Sequence, residues 1–248
     1  MHMNIKAYIP NFITLLNLLS GCFALVFVAQ NEFYYAFFFV CLGIFLDFFD
    51  GFFARLFNVQ SPLGVQLDSL ADMVTSGAVP GFVMYQLLFT YLNNSDINTT
   101  NYMSMAYVLP LFGFIITLGS CYRLAKFNID TRQTDSFIGL PTPANALFIL
   151  SIPLIIDSNS IVGLSEFLSN PYFLMAISVL SAYILNAEIP LFSLKIKDFS
   201  WQKNKIQVIF LLFAIALLIG FKILGLPLVI TLYVLLSIVQ NKMAPKTL

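Results

Sequence analysis

The chain has 248 residues, 59% of them apolar and only 10% charged, with 27 phenylalanines and a mean hydropathy of +0.88. That composition lies far from the soluble average and excludes an ordinary water-soluble domain. Twelve Lys and Arg balance twelve Asp and Glu, which by itself says nothing about nucleic acid; basic patches with interleaved aromatics are absent, so no nucleic-acid partner is expected.

A membrane-spanning helix needs about 20 apolar residues. Backbone in lipid must satisfy its own hydrogen bonds, so runs of this length imply helices rather than strands. The first run is residues 8–30. The segment before it carries a single Lys, and no small-x-small site closes the run, so it reads as a membrane helix and not as a leader. Further spans are expected at 33–56, 66–92, 102–125, 142–157, 171–188, 205–222 and 224–241. The chain is thus expected to be an all-α integral membrane protein with about eight transmembrane helices. The fifth span is short and holds Pro153, and "FKILGLP" is a tight turn between the last two. Cys22, Cys41 and Cys121 fall inside apolar spans and are expected to be small buried hydrophobes rather than ligands or disulfides. No internal repeat, low-complexity segment or second soluble domain is visible.

Charge sets the topology. With the N-terminus in the cytoplasm, Lys6, Arg55, Arg123, Lys126, Arg132, Lys195, Lys197, Lys203, Lys205, Lys242 and Lys246 all fall on the inner side, and only Lys222 falls outside. The expected outer loops "NNSDINTTN" and "DSNSIVGLSEFLSNP" hold no Lys or Arg. Both termini are therefore expected inside. The polar segment "LKIKDFSWQKNKIQ", with Trp201, suits an inner interface beside anionic headgroups, or simply a solvated loop.

Four of the twelve acids lie in one stretch, Asp47 to Asp72: "DFFDGFFARLFNVQSPLGVQLDSLAD". Asp47 and Asp50 are three apart, and Asp68 and Asp72 four apart, so each pair shares a helix face. A loop of about residues 56–65 joins the two helices, which must run antiparallel and bring both pairs to one depth. An acid deep in a membrane costs about 2.5 kcal/mol or more. Such acids are either protonated or neutralised by cations. An all-oxygen set suits Mg²⁺ or Mn²⁺, and two such ions form the clamp used for displacement at phosphorus. Gly51, Ala54 and Gly64 clear space on the same faces, and Arg55 suits phosphate oxygens. A proton or cation relay in a transporter also uses intramembrane acids, but neither inverted repeats nor broken mid-membrane helices are legible here.

Asp47-x-x-Asp50-Gly51-x-x-Ala54-Arg55, then eight residues, then Gly64-x-x-x-Asp68-x-x-x-Asp72 resembles the signature of the CDP-alcohol phosphatidyltransferase family. "CYRLAKFNIDTRQTDSFIGLPTPANA" and "IPNFITLLNLLSG" resemble segments of its membrane-embedded phosphatidylserine synthase branch, with Lys126 where that branch has Arg. The resemblance covers roughly residues 8–190. It implies a six-helix catalytic core within residues 1–190, followed by a loop and two additional helices in 191–248. It implies transfer of a phosphatidyl group from CDP-diacylglycerol to L-serine at the inner face of the cell membrane, with CMP released. Two divalent ions are implied, Asp47 and Asp68 bridging them, Asp50 on one and Asp72 on the other, with Asp72 also the general base. Asn11, Thr14, Gly51, Ala54, Arg55, Ser61 and Gly64 are implied to surround the CDP-lipid. Asn11 and Thr14 could equally be a helix cap or an interhelical bond.

Serine's carboxylate requires a cation beside the acids. Arg123, Lys126, Asn128 and Arg132 follow one another at the inner end of the fourth span, and Arg offers a bidentate fork. Interfacial anchoring is the plainer role for any one of them. A sister enzyme using glycerol phosphate, inositol phosphate or choline is a second reading, and a homodimer is compatible with the pattern.

Overall fold

The structure is a computed structural model, and it describes residues 6, 8–94, 105–130, 132, 138–158, 163–192 and 205–243. Every regular element among the described residues is helical, apart from an isolated antiparallel bridge between Ile138 and Pro190. The helices are α1 (Tyr8–Ala29), α2 (Phe33–Leu56), α3 (Pro62–Asp72), α4 (Val79–Asn94), α5 (Met105–Val108), α6 (Ile115–Ile129), α7 (Thr142–Ser158), α8 (Leu164–Ser169), α9 (Pro171–Asn186), α10 (Lys205–Phe221) and α11 (Gly225–Met243).

Four helical stretches, Tyr8–Ala29, Phe33–Leu56, Pro62–Leu92 and Lys205–Asn241, are long and apolar enough to cross a membrane, and Thr142–Ser158 and Pro171–Asn186 are shorter apolar helices. Large apolar side chains such as Phe12, Phe38, Phe48 and Leu118 point outward, as they would toward lipid. The chain is a multi-pass, all-α membrane protein. The Lys205–Asn241 stretch, 37 residues, would be about 55 Å long as one helix, well beyond a bilayer. It folds back instead. A 3₁₀ turn at Lys222–Leu224, with Lys222 at φ 51°, reverses the chain, and Phe210 of α10 meets Tyr233 of α11.

On α2 the rings of Phe45, Phe49, Phe53 and Phe57 stack at i, i+4 spacing, with centroids 4.7, 6.0 and 5.6 Å apart. That ladder occupies one face and leaves another to Asp47, Asp50, Gly51 and Ala54. The main core is built from Ala24 and Val28 of α1, Val40 of α2, Val83, Met84 and Leu88 of α4, Ile149 and Leu150 of α7 and Leu174 of α9.

Several expectations need correction. The third span begins at Pro62 rather than residue 66, because Ser61 caps it: its Oγ accepts from the Gly64 N–H at 3.1 Å, and Pro62 takes the first helical position. The same span is not one regular helix. Residues Met73–Ala78 form a π-helical turn between α3 and α4. The fourth span has a 3₁₀ turn at Leu109–Phe114 and its last helix runs to Ile129. Cys22 and Cys121 are exposed and Cys41 is partly so, because they sit on outward faces rather than in the core. Residues 95–104, which include most of the expected outer loop "NNSDINTTN", residues 131 and 133–137, residues 159–162 and the Trp201 segment at 193–204 lie outside the described residues.

Candidate active site

The acids of α2 and α3 come together where both helices pack against α1. Asp47, Asp50 and Asp68 offer carboxylate oxygens that all lie within 4.8 Å of one another. Asp72 stands one helical turn beyond Asp68, in electrostatic range of Asp47, Asp50 and Asp68. Asp50 is buried, and Asp47, Asp68 and Asp72 are partly so. Among the described residues, no Lys or Arg forms an ion pair with any of the four.

The polar partners come from α1. Thr14 Oγ1 donates to Asp50 Oδ2 at 2.5 Å, with the Pro10 carbonyl at 3.0 Å as its other acceptor. Asn17, fully buried, donates from Nδ2 to Asp72 Oδ1 at 3.3 Å. Its own Oδ1 accepts from Thr75 Oγ1 at 2.8 Å. Thr75 lies in the π-helical turn that starts directly after Asp72. The turn, α1 and α2 meet closely: a Cβ on Gly21 would stand 2.5 Å from Thr75 Oγ1, and one on Gly43 would stand 2.6 Å from Thr75 Cγ2. One hydroxyl, one side-chain amide and the Gly51 backbone N–H are too few donors for four carboxylates, so the cluster fits a hard divalent cation held by oxygen ligands.

A cleft of about 520 Å³ opens beside the cluster, lined by Pro10, Asn11, Thr14, Asp50, Gly51, Ala54, Arg55, Val59, Gln60, Ser61, Pro62, Gly64, Val65 and Asp68. It gathers all seven residues expected around a CDP-lipid together with two acids. Arg55 is exposed at its rim, and the space over Gly64 is bounded by Asn11 Oδ1 and Ser61 Oγ. A larger cavity of about 650 Å³, lined by Asn31, Phe33, Tyr91 and Asp157 among others, sits at the opposite end of α2 and holds a single acid.

The four serine-site candidates separate. Arg123 is buried, at 7% exposure, and lies in electrostatic range of Asp72. Its guanidinium sits 5.8 Å from the Phe127 ring centroid, and its Nε and Nη2 have no hydrogen-bond partner. Lys126 is tied to Glu188 at 2.5 Å. Arg132 is tied to Asp130 at 2.9 Å and Glu188 at 3.3 Å. Asn128 donates to Ser69 Oγ at 2.9 Å, which joins α6 to α3. Glu188, caught between the two cations, has its carboxyl held below the ordinary range by Lys126 first and Arg132 second.

Asn17, Thr75, Asn186 and Glu188 carry contacts here to which sequence reasoning gave no role. Asn17 had a signal: Asn11, Thr14 and Asn17 recur every three residues along α1 and make a polar stripe.

The CDP-alcohol phosphatidyltransferase profile matches residues 7–184. The chain belongs to the CDP-alcohol phosphatidyltransferase family. Within it, a "CDP-diacylglycerol--serine O-phosphatidyltransferase" from Bacillus subtilis (strain 168) is 36% identical over 140 residues, covering 55% of this chain and 70% of that protein. Proteins of the same name from Helicobacter pylori (strain J99) and Saccharomyces cerevisiae are 34% identical over 143 residues and 31% over 161. The matches span about half the length of those two relatives, 55% and 53%.

Proposed function

We propose that this phosphatidyltransferase makes phosphatidylserine, transferring the phosphatidyl group of CDP-diacylglycerol to the hydroxyl of L-serine and releasing CMP. The observation that supports this reading is the cleft beside the acids, whose lining includes the seven residues expected around a CDP-lipid together with Asp50 and Asp68. The names of the relatives supply the serine acceptor.

In this reading Asp47, Asp50, Asp68 and Asp72 would hold two divalent ions, Mg²⁺ or Mn²⁺. When bound, such ions neutralise charge that develops on phosphate oxygens and on the departing group. The chain's own residues do the rest. Asn11, Thr14, Gly51, Ala54, Ser61 and Gly64 shape the nucleotide cleft, and Arg55 meets phosphate oxygen at its rim. Acyl chains stay in lipid against the apolar outer faces. Asp72 takes the proton from the serine hydroxyl, which is a weak nucleophile until a base activates it. The serine oxygen bonds to the phosphorus bearing diacylglycerol, and the bond from that phosphorus to the CMP oxygen breaks. Arg123, buried and unpaired near Asp72, takes the serine carboxylate; Lys126, Asn128 and Arg132 already have partners and frame it. The membrane is the cell membrane, with the site and both termini on the cytoplasmic side, where Arg55, Arg123, Lys126 and Arg132 map. Residues 1–190 form the catalytic core, and α10 and α11 add a helical hairpin. A homodimer is compatible with this reading.

An acceptor panel tests it. Purified enzyme with CDP-diacylglycerol and Mn²⁺ should release CMP with L-serine and not with glycerol phosphate, inositol phosphate or choline. Release with one of those and not with serine would move the chain to a sister activity, and no acceptor-dependent release would remove the enzyme reading.

A further inference from the structure

Two buried polar groups near the acids are left unsatisfied, and they have opposite needs. Arg123 of α6 presents Nε and Nη2, both donors without an acceptor. Asn186, the last residue of α9, presents Oδ1, an acceptor without a donor. The orientation of the Asn186 amide is not arbitrary. Its Nδ2 donates to the carbonyls of Gly119 at 2.9 Å and Ala182 at 3.0 Å. Carbonyls only accept, so the nitrogen must face them and the oxygen must face away. Arg123 and Asn186 line the same small void, with Lys126, Ile138 and Leu185.

Orphaned buried donors and acceptors are costly, and their persistence at one place calls for a ligand that supplies both complements. The void needs a group that accepts from a guanidinium and donates to an amide oxygen. The head of an α-amino acid does both at once, through its carboxylate and its ammonium. The void is about 10 Å³, room for one water, so an amino-acid head enters only as the lining moves apart. Among its lining residues Lys126 is partly exposed, and an ion pair ties it to Glu188. Such pairs open at little cost.

We propose that Arg123 and Asn186 form the subsite for the amino-acid head of the acceptor, Arg123 binding the carboxylate and Asn186 Oδ1 accepting from the ammonium. This rests on the reading that L-serine is the acceptor and extends it to the residue that reads the amine. Arg123 also lies in electrostatic range of Asp72. A neutral amide oxygen suits this task, because a carboxylate in its place would pair with Arg123 and close the subsite.

The test is a pair of Michaelis constants in full-length enzyme. Asn186→Ala should raise the L-serine KM by about tenfold or more and leave the CDP-diacylglycerol KM within about twofold. A residue that only braces α9 against α6 would not separate the two substrates. An unchanged serine KM, or both constants rising together, would overturn the assignment and leave a bridging water as the occupant. Should Asn186→Ala not fold, competition on the wild-type enzyme decides. L-alanine, which keeps both head groups, should compete with L-serine at least about tenfold better than propanoate, which lacks the ammonium. Equal competition, or none by either, would overturn it. If the wild type does not use L-serine at all, the functional reading fails instead.

Discussion

Asn17 Nδ2 donates to Asp72 Oδ1 at 3.3 Å, while Thr75 Oγ1 donates to Asn17 Oδ1 at 2.8 Å. Because the threonine hydroxyl engages the amide oxygen, the amide nitrogen is turned toward the carboxylate. The π-helical turn matters here, since it carries Thr75 just after Asp72 and sets the angle at which Thr75 meets α1. Asn17→Leu removes a hydrogen bond to a charged group, a loss of about 1.5–3 kcal/mol. If Asp72 is the base, kcat should fall by about 10- to 150-fold with little change in the CDP-diacylglycerol KM. Steady-state kinetics check this, and an unchanged kcat would mean that Asn17 does not position Asp72.

Gly43 is a second test of the same relay. A Cβ there would stand 2.6 Å from Thr75 Cγ2 and 2.7 Å from Asn17 Oδ1. Gly43→Ala should therefore destabilise by about 1–3 kcal/mol and displace Asn17. Gly220→Ala, where nothing lies within 4 Å, should be neutral or mildly stabilising. Thermal unfolding in detergent compares the two. Equal midpoints would show that the contact at Gly43 relaxes freely.

Much of this site could be read before the fold was known, and the reason is local geometry. Helical spacing alone puts Asp47 with Asp50 and Asp68 with Asp72, and α1, packed against both helices, holds the two pairs at one place. The Asp47–Gly64 pattern likewise held five of the cleft residues, Gly51, Ala54, Arg55, Ser61 and Gly64. Asn17 was different. An amide in an apolar helix looks the same whether it bonds a neighbour helix or a catalytic carboxylate, and its partner lies 55 residues away. Asn186 reaches Gly119 across 67 residues, so its unpaired oxygen has no signature in its own helix. "MVTSGA" contains no proline to announce an irregular turn. Ser61 shows the opposite failure. Read as a nucleotide contact, it both lines the cleft and caps α3, because Pro62 after it starts a helix as readily as it ends a loop.

Metal removal should abolish activity. Chelator-treated enzyme is expected to be inactive and to recover with Mg²⁺ or Mn²⁺, because three carboxylates lie within 4.8 Å of one another and, among the described residues, no Lys or Arg forms an ion pair with them. Mn²⁺ binding followed by electron paramagnetic resonance should weaken in Asp47→Asn and Asp68→Asn. Full turnover in excess chelator would contradict the metal assignment.

Glu188 supplies a dependence on pH. Lys126 and Arg132 hold its carboxyl below the ordinary value of 4.5. A depressed value means that the pair stabilises the fold above about pH 4.5 and that this contribution is lost as pH falls through the lower, folded-state value. Both partners reach solvent, so the effect should be small and weakened by salt. Glu188→Gln should lower the thermal midpoint slightly at neutral pH and low salt, and the difference from wild type should vanish on acidification. A difference that grows on acidification would contradict the assignment.

Phosphatidyl transfer itself is tested most directly by following one phosphorus atom. CDP-diacylglycerol labelled with ³²P only at the phosphate next to diacylglycerol, given to purified full-length enzyme with L-serine and Mn²⁺, should yield labelled phosphatidylserine and unlabelled CMP in equal amounts. Asp72→Asn should suppress both products together. Label appearing in the nucleotide, or CMP released without any serine-containing lipid, would contradict transfer at that phosphorus to serine.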